Sequence, residues 1–268
     1  MLYSSVNFKQ CNNVDIKDRS IAFGDGVFTT AKVVDGEVEH LSGHIQRLKQ
    51  GCRKLNITEP DFQQVSSEMI KAAKTHLLAT VKVVVSAGES SRGYARDANQ
   101  QPTVMVTSAA FPKHYLGWQS NGLTLGLSSI KLGRNPILAG IKHLNRLEQV
   151  LIRGELENLN VDEVVVCDFE NYIIECNTAN LFWYRAGKWY TPILSMAGVN
   201  GLIRQKLMAL LPNVVECHAK VEELDMAESM LICNCLLSVV AAKSYLGKSL
   251  KIDHDLLTKL QQQLKEFD

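Results

Sequence analysis

Apolar residues recur along this chain at two periods, and the period changes from segment to segment. "VFTTAKVVDGEVEHL" alternates with a period near two on either side of Asp35-Gly36, which predicts two strands joined by a tight turn. Directly after it, Ile45, Leu48, Cys52 and Leu55 recur at helical spacing, with Ser42 placed to cap the helix. A second helical stretch, "DFQQVSSEMIKAAKTHLL", runs into the strand-like "TVKVVVSAG" and "PTVMVTSAAF", which are separated by the polar loop "ESSRGYARDANQQ".

The pattern weakens to loop around "PKHYLGWQSNG", so a domain boundary is expected there, between residues 1–113 and 114–268. Beyond it, "LTLGLSSI", "EVVVCDFENYIIE", "NLFWYRAGKWYTP", "ESMLICN" and "SVVAAKSYLG" read as strands. Helices are expected from Asn145, after the glycine-containing turn of "AGVNGLIRQKLMALL", and over "DHDLLTKLQQQLKEF". Asn145 followed three residues later by Glu148 reads as a cap with its capping-box partner, and Leu144, Leu147 and Leu151 as a core-facing stripe. Strands and helices mix without a regular βαβ alternation and without internal repeats. The expected class is α/β in the mixed, α+β sense.

Composition narrows the function more than the fold. With 46% hydrophobic and 21% charged residues over 268 positions, the chain has an ordinary globular make-up with ample core. A formal net charge of +1 provides no broad field for nucleic acid or an anionic membrane surface. "MLYSSVNFKQ" lacks the basic and apolar regions of a signal peptide, and no run approaches the roughly 20 apolar residues of a membrane span. The expectation is a cytoplasmic protein without membrane or nucleic-acid partners. Seven scattered cysteines, without a CxxC, read as free thiols; Cys233 and Cys235 flank Asn234 in a strand and would share a face. His40 and His44 have i, i+4 spacing but lack the glutamate of HExxH, so no metal site is expected.

Candidate chemistry gathers at separate points. Lys142 in "AGIKHLNRLEQVLIR" leaves the uncharged, mostly apolar run "PILAGI" just before a helix start, an unusual station for a residue that ordinarily lies on the surface. Glu175 in "YIIECNTANLFW" follows apolar sequence and precedes an aromatic strand, so it is expected near the core. A buried carboxylate needs a positive partner, and a structural arginine is one alternative. "GVNGLIRQ" sets Gly198 and Gly201 at a helix start, either a phosphate cradle or an ordinary loop-to-helix connection. Arg47 in "HIQRL" lies on the shoulder of its helix, placed to reach a phosphate or to remain solvated. "AFGDGVF" lacks the third glycine of a dinucleotide motif and reads as a tight turn around Asp25. Together, a lysine, a buried carboxylate, a helix start and an arginine are the groups that pyridoxal 5'-phosphate (PLP) requires.

These stretches, with "DRSIAFGDGVFTTAKVVDG", "SSRGY", "LGRNPILAGIKHLNRLEQVLIR", "DEVVVCDFENYIIECNTANLFW" and "ICNCLLSVV", carry a resemblance over effectively the whole chain. The sequence resembles the fold-type IV PLP-dependent enzymes, the aminotransferase class IV family with the D-amino acid aminotransferase-like fold. "IKHLNRLEQVLIR" is similar to the 4-amino-4-deoxychorismate lyase branch, whereas aminotransferases keep the lysine and glutamate but differ after the lysine. The resemblance implies two α/β domains with PLP as cofactor, and a homodimer in which loops of one subunit close the other's site.

It also implies roles. Lys142 would hold the cofactor covalently and act as the base, and Glu175 would bind the pyridine nitrogen. Arg47 would bind the phosphate, joined by Val199, Asn200 and the backbone of Asn234 and Cys235. Cys235 stands where a small residue such as alanine is expected, which matters little if backbone makes that contact. Arg92 and Tyr94, in the polar loop, are expected to bind the substrate carboxylates. The implied reaction converts 4-amino-4-deoxychorismate to 4-aminobenzoate and pyruvate, a step towards folate. The alternatives are an amino-acid aminotransferase on the same scaffold and a non-catalytic small-molecule-binding dimer in which Lys142 and Glu175 pair structurally.

Overall fold

The computed structural model describes residues 1–90, 93–97 and 99–266, which form two compact units of mixed α/β structure. Met1–Pro112 make the first, and Lys142–Asn145 group with it; the second comprises Lys113–Ile141 and the chain from Arg146 onward.

The first unit is built on an antiparallel sheet. Its strands are β1 (Tyr3–Val6), β2 (Lys9–Gln10), β3 (Gly26–Val34), β4 (Glu37–Val38), β5 (Leu78–Ser86) and β6 (Thr103–Ala110), in the order β2-β1-β6-β5-β3-β4. Val27, Thr29, Ala31 and Val33 of β3 are buried while their neighbours are less so, the period-two pattern of a sheet with one covered face. Asp35 and Gly36 both adopt positive φ (50° and 81°), the backbone that a two-residue hairpin turn demands, and the turn fixes the register Val34↔Glu37.

Helices α1 (Arg19–Phe23), α2 (Leu41–Lys54) and α3 (Phe62–Ala73) complete this unit. Helix α2 buries His44, Leu48, Gly51 and Cys52, so the expected stripe is rotated slightly: Leu48 and Cys52 lie in it, while Ile45 and Leu55 are half-buried. Its first hydrogen bond runs from the His44 N–H to the His40 carbonyl, which places Ser42 inside the first turn and leaves the cap to His40. In α3 the carboxylate of Asp61 accepts the N–H groups of Gln63 and Gln64, a true side-chain cap.

The second unit carries a mixed sheet. Its strands are β7 (Leu123–Leu127), β8 (Glu163–Cys167), β9 (Ile173–Cys176), β10 (Asn180–Arg185), β11 (Lys188–Pro192), β12 (Val214–Cys217), β13 (Ser229–Asn234), β14 (Ser238–Tyr245) and β15 (Lys248–Ser249). The order is β12-β11-β10-β13-β14-β7-β8-β9, with β15 on β14. Strands β7 and β8 pair in parallel, and every residue of β8 is buried, the continuous burial expected of a strand covered on both faces. Its helices are α4 (His114–Asn121), α5 (Leu147–Leu156), α6 (Leu202–Leu210) and α7 (His254–Lys265). Ile203 and Leu207 of α6 join Leu260 and Leu264 of α7 over Phe182 and Trp189, and Cys233 and Cys235 belong to the same cluster.

Helix α5 departs from the expected capping box. It begins at Leu147 with no side-chain cap. The Asn145 amide donates instead to the Gly24 carbonyl (3.1 Å), and the Glu148 carboxylate accepts the Gly133 N–H (2.7 Å). The expected core stripe is also displaced: Ile152 and Leu156 are buried, whereas Leu147 and Leu151 are 71% and 54% exposed.

All seven cysteines are free. Burial pushes the Cys52 thiol up to about 12 and those of Cys167 and Cys217 up to about 11, so they stay protonated and poorly nucleophilic near neutral pH. Among the described residues, no group of His, Cys, Asp and Glu side chains is arranged to hold a metal ion, and no helix is long and apolar enough to cross a membrane.

Leu48 is fully enclosed while Gln46, on the same helix, is exposed. Urea unfolding is expected to show Leu48→Ala costing about 2–5 kcal/mol, with Gln46→Ala within about 0.5 kcal/mol of the parent.

Candidate active site

In the first unit, Lys142 is placed by its backbone. The Phe28 N–H donates to the Lys142 carbonyl (2.9 Å) and the Leu144 N–H donates to the Gly26 carbonyl (3.0 Å), so the segment lies alongside the start of β3, with His143 bridging Val27. Gly26 admits this approach: a Cβ there would lie 2.7 Å from Leu144 Cδ1. The Lys142 Nζ stands 4.6 Å from the centroid of the Phe28 ring, and the Nζ of Lys82, from β5, stands 5.0 Å from the same centroid.

Arg47 is half-buried on α2. Arg92 lies outside the described residues. Tyr94 is 88% exposed, its ring 5.4 Å from that of Phe23. The loop around it is tied down by Arg19, a buried residue of α1. Arg19 Nη2 donates to the Tyr94 carbonyl (2.9 Å), and Nη1 to Ser90 Oγ (2.9 Å) and to the carbonyls of Gly93 (3.1 Å) and Ala95 (3.2 Å). Its Nε donates to Asp25 Oδ2 (2.7 Å), and Arg96 reaches both oxygens of the same carboxylate. Burial raises the Asp25 carboxyl, but the hydrogen bonds and charges of Arg96 and Arg19 outweigh it and hold the group below the usual aspartate value. The glycine-flanked turn of "AFGDGVF" therefore presents a carboxylate that joins two arginines.

In the second unit, Glu175 is the buried carboxylate, 6% exposed on β9. Its Oε2 accepts the Val199 N–H (2.9 Å) and faces Asn180 Nδ2 at 3.5 Å; Asn180 Nδ2 also donates to the Val199 carbonyl (2.8 Å). Arg146 is the arginine whose charge acts on Glu175, and its Nη2 donates to the Ile141 carbonyl (2.6 Å). Burial lowers the proton affinity of this guanidinium and Glu175 supports it, without threatening its charge.

The turn that satisfies Glu175 also opens α6. Gly198 has φ +84°, its carbonyl accepts the Gly140 N–H (2.9 Å), and the Asn200 N–H donates back to the Gly140 carbonyl (3.1 Å). Lys142 follows Gly140 two residues on in the sequence. A Cβ on Gly201 would lie 2.1 Å from Asn180 Oδ1, so only glycine fits there. The first N–H groups of α6 have no intrahelical acceptor and form a natural anion site. Asn234 shapes the neighbouring loop: its Nδ2 donates to the Thr178 carbonyl (3.0 Å) and its Oδ1 accepts the N–H groups of Leu236 and Leu237 (2.8 Å each). Cys235 is buried beside it.

The structure thus groups Glu175, Val199 and Asn200 through one turn, and holds Lys142 by its backbone on β3. Sequence reasoning missed Asn180, Arg146, Arg19 and Lys82. Asn180 left a signal, a lone amide opening the apolar run "NLFW", because a buried amide must be satisfied.

A family model described as amino-transferase class IV matches residues 26–245, and the chain belongs to this family. Within it, the chain is 34% identical over 252 residues to an aminodeoxychorismate lyase of Vibrio harveyi, covering 92% of this chain and 93% of that protein. Among solved structures it is similar to 4-amino-4-deoxychorismate lyase from Pseudomonas aeruginosa, with a TM-score of 0.89 and 28% identity over 98% of both chains. The branched-chain amino acid aminotransferase of Escherichia coli shares the fold, with a TM-score of 0.86 and 17% identity over 99% of this chain and 94% of that one. These matches agree with the expected fold-type IV architecture.

Gly198 is left-handed and a Cβ there would lie 2.7 Å from Ile174 Cγ2. Gly198→Ala is expected to cost about 1–3 kcal/mol in thermal or urea unfolding.

Proposed function

We propose that this chain is a PLP-dependent lyase that converts 4-amino-4-deoxychorismate to 4-aminobenzoate and pyruvate. The observation that carries the reading is likeness to lyases along nearly the whole chain, at higher identity than to an aminotransferase of similar TM-score. The residues present fit the cofactor. Glu175 is a buried carboxylate organised for a protonated nitrogen, the glycine-bounded start of α6 suits a phosphate, and Lys142 offers a primary amine on a backbone held to β3.

In this reading Glu175 holds the pyridine nitrogen's proton, and Arg47 binds the phosphate with the start of α6 and the backbone of Asn234 and Cys235. The N–H groups of Val199 and Asn200 are already engaged, by Glu175 and Gly140, so Asn200 contributes through its side chain and the N–H groups after it complete the cup. When bound, PLP supplies an electron sink for the pair released at the carbon bearing the amine. The Lys142 amine takes the proton from carbon 4 of the substrate, a general-base contribution of about 10²–10⁴ in rate. It then holds that proton for the methylene of the departing enolpyruvyl group, which leaves as pyruvate. Arg92 and Tyr94 receive the substrate carboxylates, with Lys82 as a further cation beside Lys142.

A second reading, an amino-acid aminotransferase, is favoured by the family as a whole. The two differ in whether a keto acid is required. On 4-amino-4-deoxychorismate alone, many turnovers with 4-aminobenzoate and pyruvate in equal amounts are expected; strict dependence on an added keto acid would install the aminotransferase. Lys142→Ala should abolish both the turnover and the borohydride-trapped covalent cofactor. Unchanged trapping in that variant would move the attachment to another lysine.

The working assembly in this reading is a homodimer, as in the fold-type IV enzymes the chain resembles. Leu147, Val150 and Leu151 leave an exposed apolar stripe on α5, at spacings of three and four, for a second copy to cover. Sedimentation is expected to give a dimer that Leu151→Asp weakens; a monomer at all concentrations would count against it.

A further inference from the structure

Arg204 is a buried cation for which the reading above has no use. It lies on α6, within one turn of the helix start and 3% exposed. A guanidinium so enclosed is costly unless its donors are met. Nη2 donates to the Pro192 carbonyl (2.8 Å) and to Glu216 Oε1 (2.6 Å), and Nη1 to Asn200 Oδ1 (3.1 Å). The Nε is enclosed with no hydrogen-bond partner among the described residues. Glu216 is 44% exposed, so water screens its charge and cancels that of Arg204 only in part.

We propose that Arg204 is the positioning residue of the α6 anion site, the fixed charge behind the helix start that selects a phosphate monoester dianion. The inference rests on the reading of that helix start as the phosphate cup. With the Asn200 N–H engaged by Gly140, residue 200 meets an anion through its side chain. An amide attracts an anion with its NH2 and repels it with its oxygen. By binding the oxygen, Arg204 decides which end is turned elsewhere. Its charge also adds to the partial positive charge at the helix N-terminus, within the first turn where that charge acts. A purely structural role, tying α6 to the ends of β11 and β12, would give no preference for a phosphorylated ligand.

The test compares PLP, pyridoxal and inorganic phosphate in equilibrium binding to the full chain stripped of cofactor. In the parent, PLP should bind far more tightly than pyridoxal. Arg204→Met should weaken PLP and phosphate by about tenfold and leave pyridoxal unchanged, as expected when a fixed charge near the anion and the orientation of Asn200 are both lost. Glu216→Gln, at a half-exposed edge position, keeps the guanidinium and removes its counter-charge, so PLP and phosphate should bind a few-fold tighter with pyridoxal again unchanged. Equal loss of PLP and pyridoxal in Arg204→Met, or no tightening in Glu216→Gln, would overturn the proposal. If Arg204→Met does not fold, Glu216→Gln decides alone. A parent protein that does not distinguish PLP from pyridoxal would refute the phosphate cup itself, a separate outcome.

Discussion

A carboxylate enclosed at Glu175 must be satisfied, and much of the second unit's candidate site follows from how this is done. The Val199 N–H turns inward to it. That turn requires a left-handed residue just before, which is Gly198, and an amide to hold the Val199 carbonyl, which is Asn180. Asn180 in turn forbids any side chain at Gly201. The start of α6 is thereby placed by the need to satisfy one charge, and the anion site it creates is a consequence of the same geometry. Arg146, half-buried, adds a positive charge to the same carboxylate without replacing the N–H bond.

The first unit solves a different problem, holding a flexible lysine. Lysine carries much side-chain entropy, so its usefulness depends on how well its backbone is fixed. Pairing of Lys142 and Leu144 with Phe28 and Gly26 makes the segment an annex of β3, and the Asn145 amide fastens its far end to the Gly24 carbonyl. The same turn, through Asp25, anchors Arg19 and Arg96, which hold the loop bearing Tyr94.

Much of this was legible in the sequence where local chemistry decides it. The Asp35-Gly36 hairpin, most of the longer strands and the Leu48–Cys52 face of α2 follow from period and turn type, whereas the short strands β1, β2, β12 and β15, and helix α4 inside the expected loop, do not. Glu175 announced its burial by apolar flanks. What could not be read depends on partners distant in sequence. Asn145 and Glu148 have the spacing of a capping box, yet Gly24, 121 positions away, and Gly133 take their side chains. Arg19 gave no local hint of its role, since its acceptors are loop carbonyls more than 70 residues on. Arg204 did leave a trace, a charged residue between Ile203 and Leu207 on the apolar face of its helix, and such a charge implies something for it to hold.

The residues that follow Lys142 show how its backbone is held. His143 bridges Val27, Asn145 binds Gly24, and Arg146 binds Ile141, so these residues grip the chain on both sides of the lysine. Elimination needs no second substrate and no redistribution of the amine; it needs one base able to collect a proton at one carbon and release it at another. A backbone held as that of Lys142 is held suits the role proposed for its amine. Substrate specificity can then reside in the cations that receive two carboxylates, and reaction type in the leaving group that the substrate itself carries. The fold is shared with an aminotransferase, so the fold by itself does not decide the reaction; the residues of the site must.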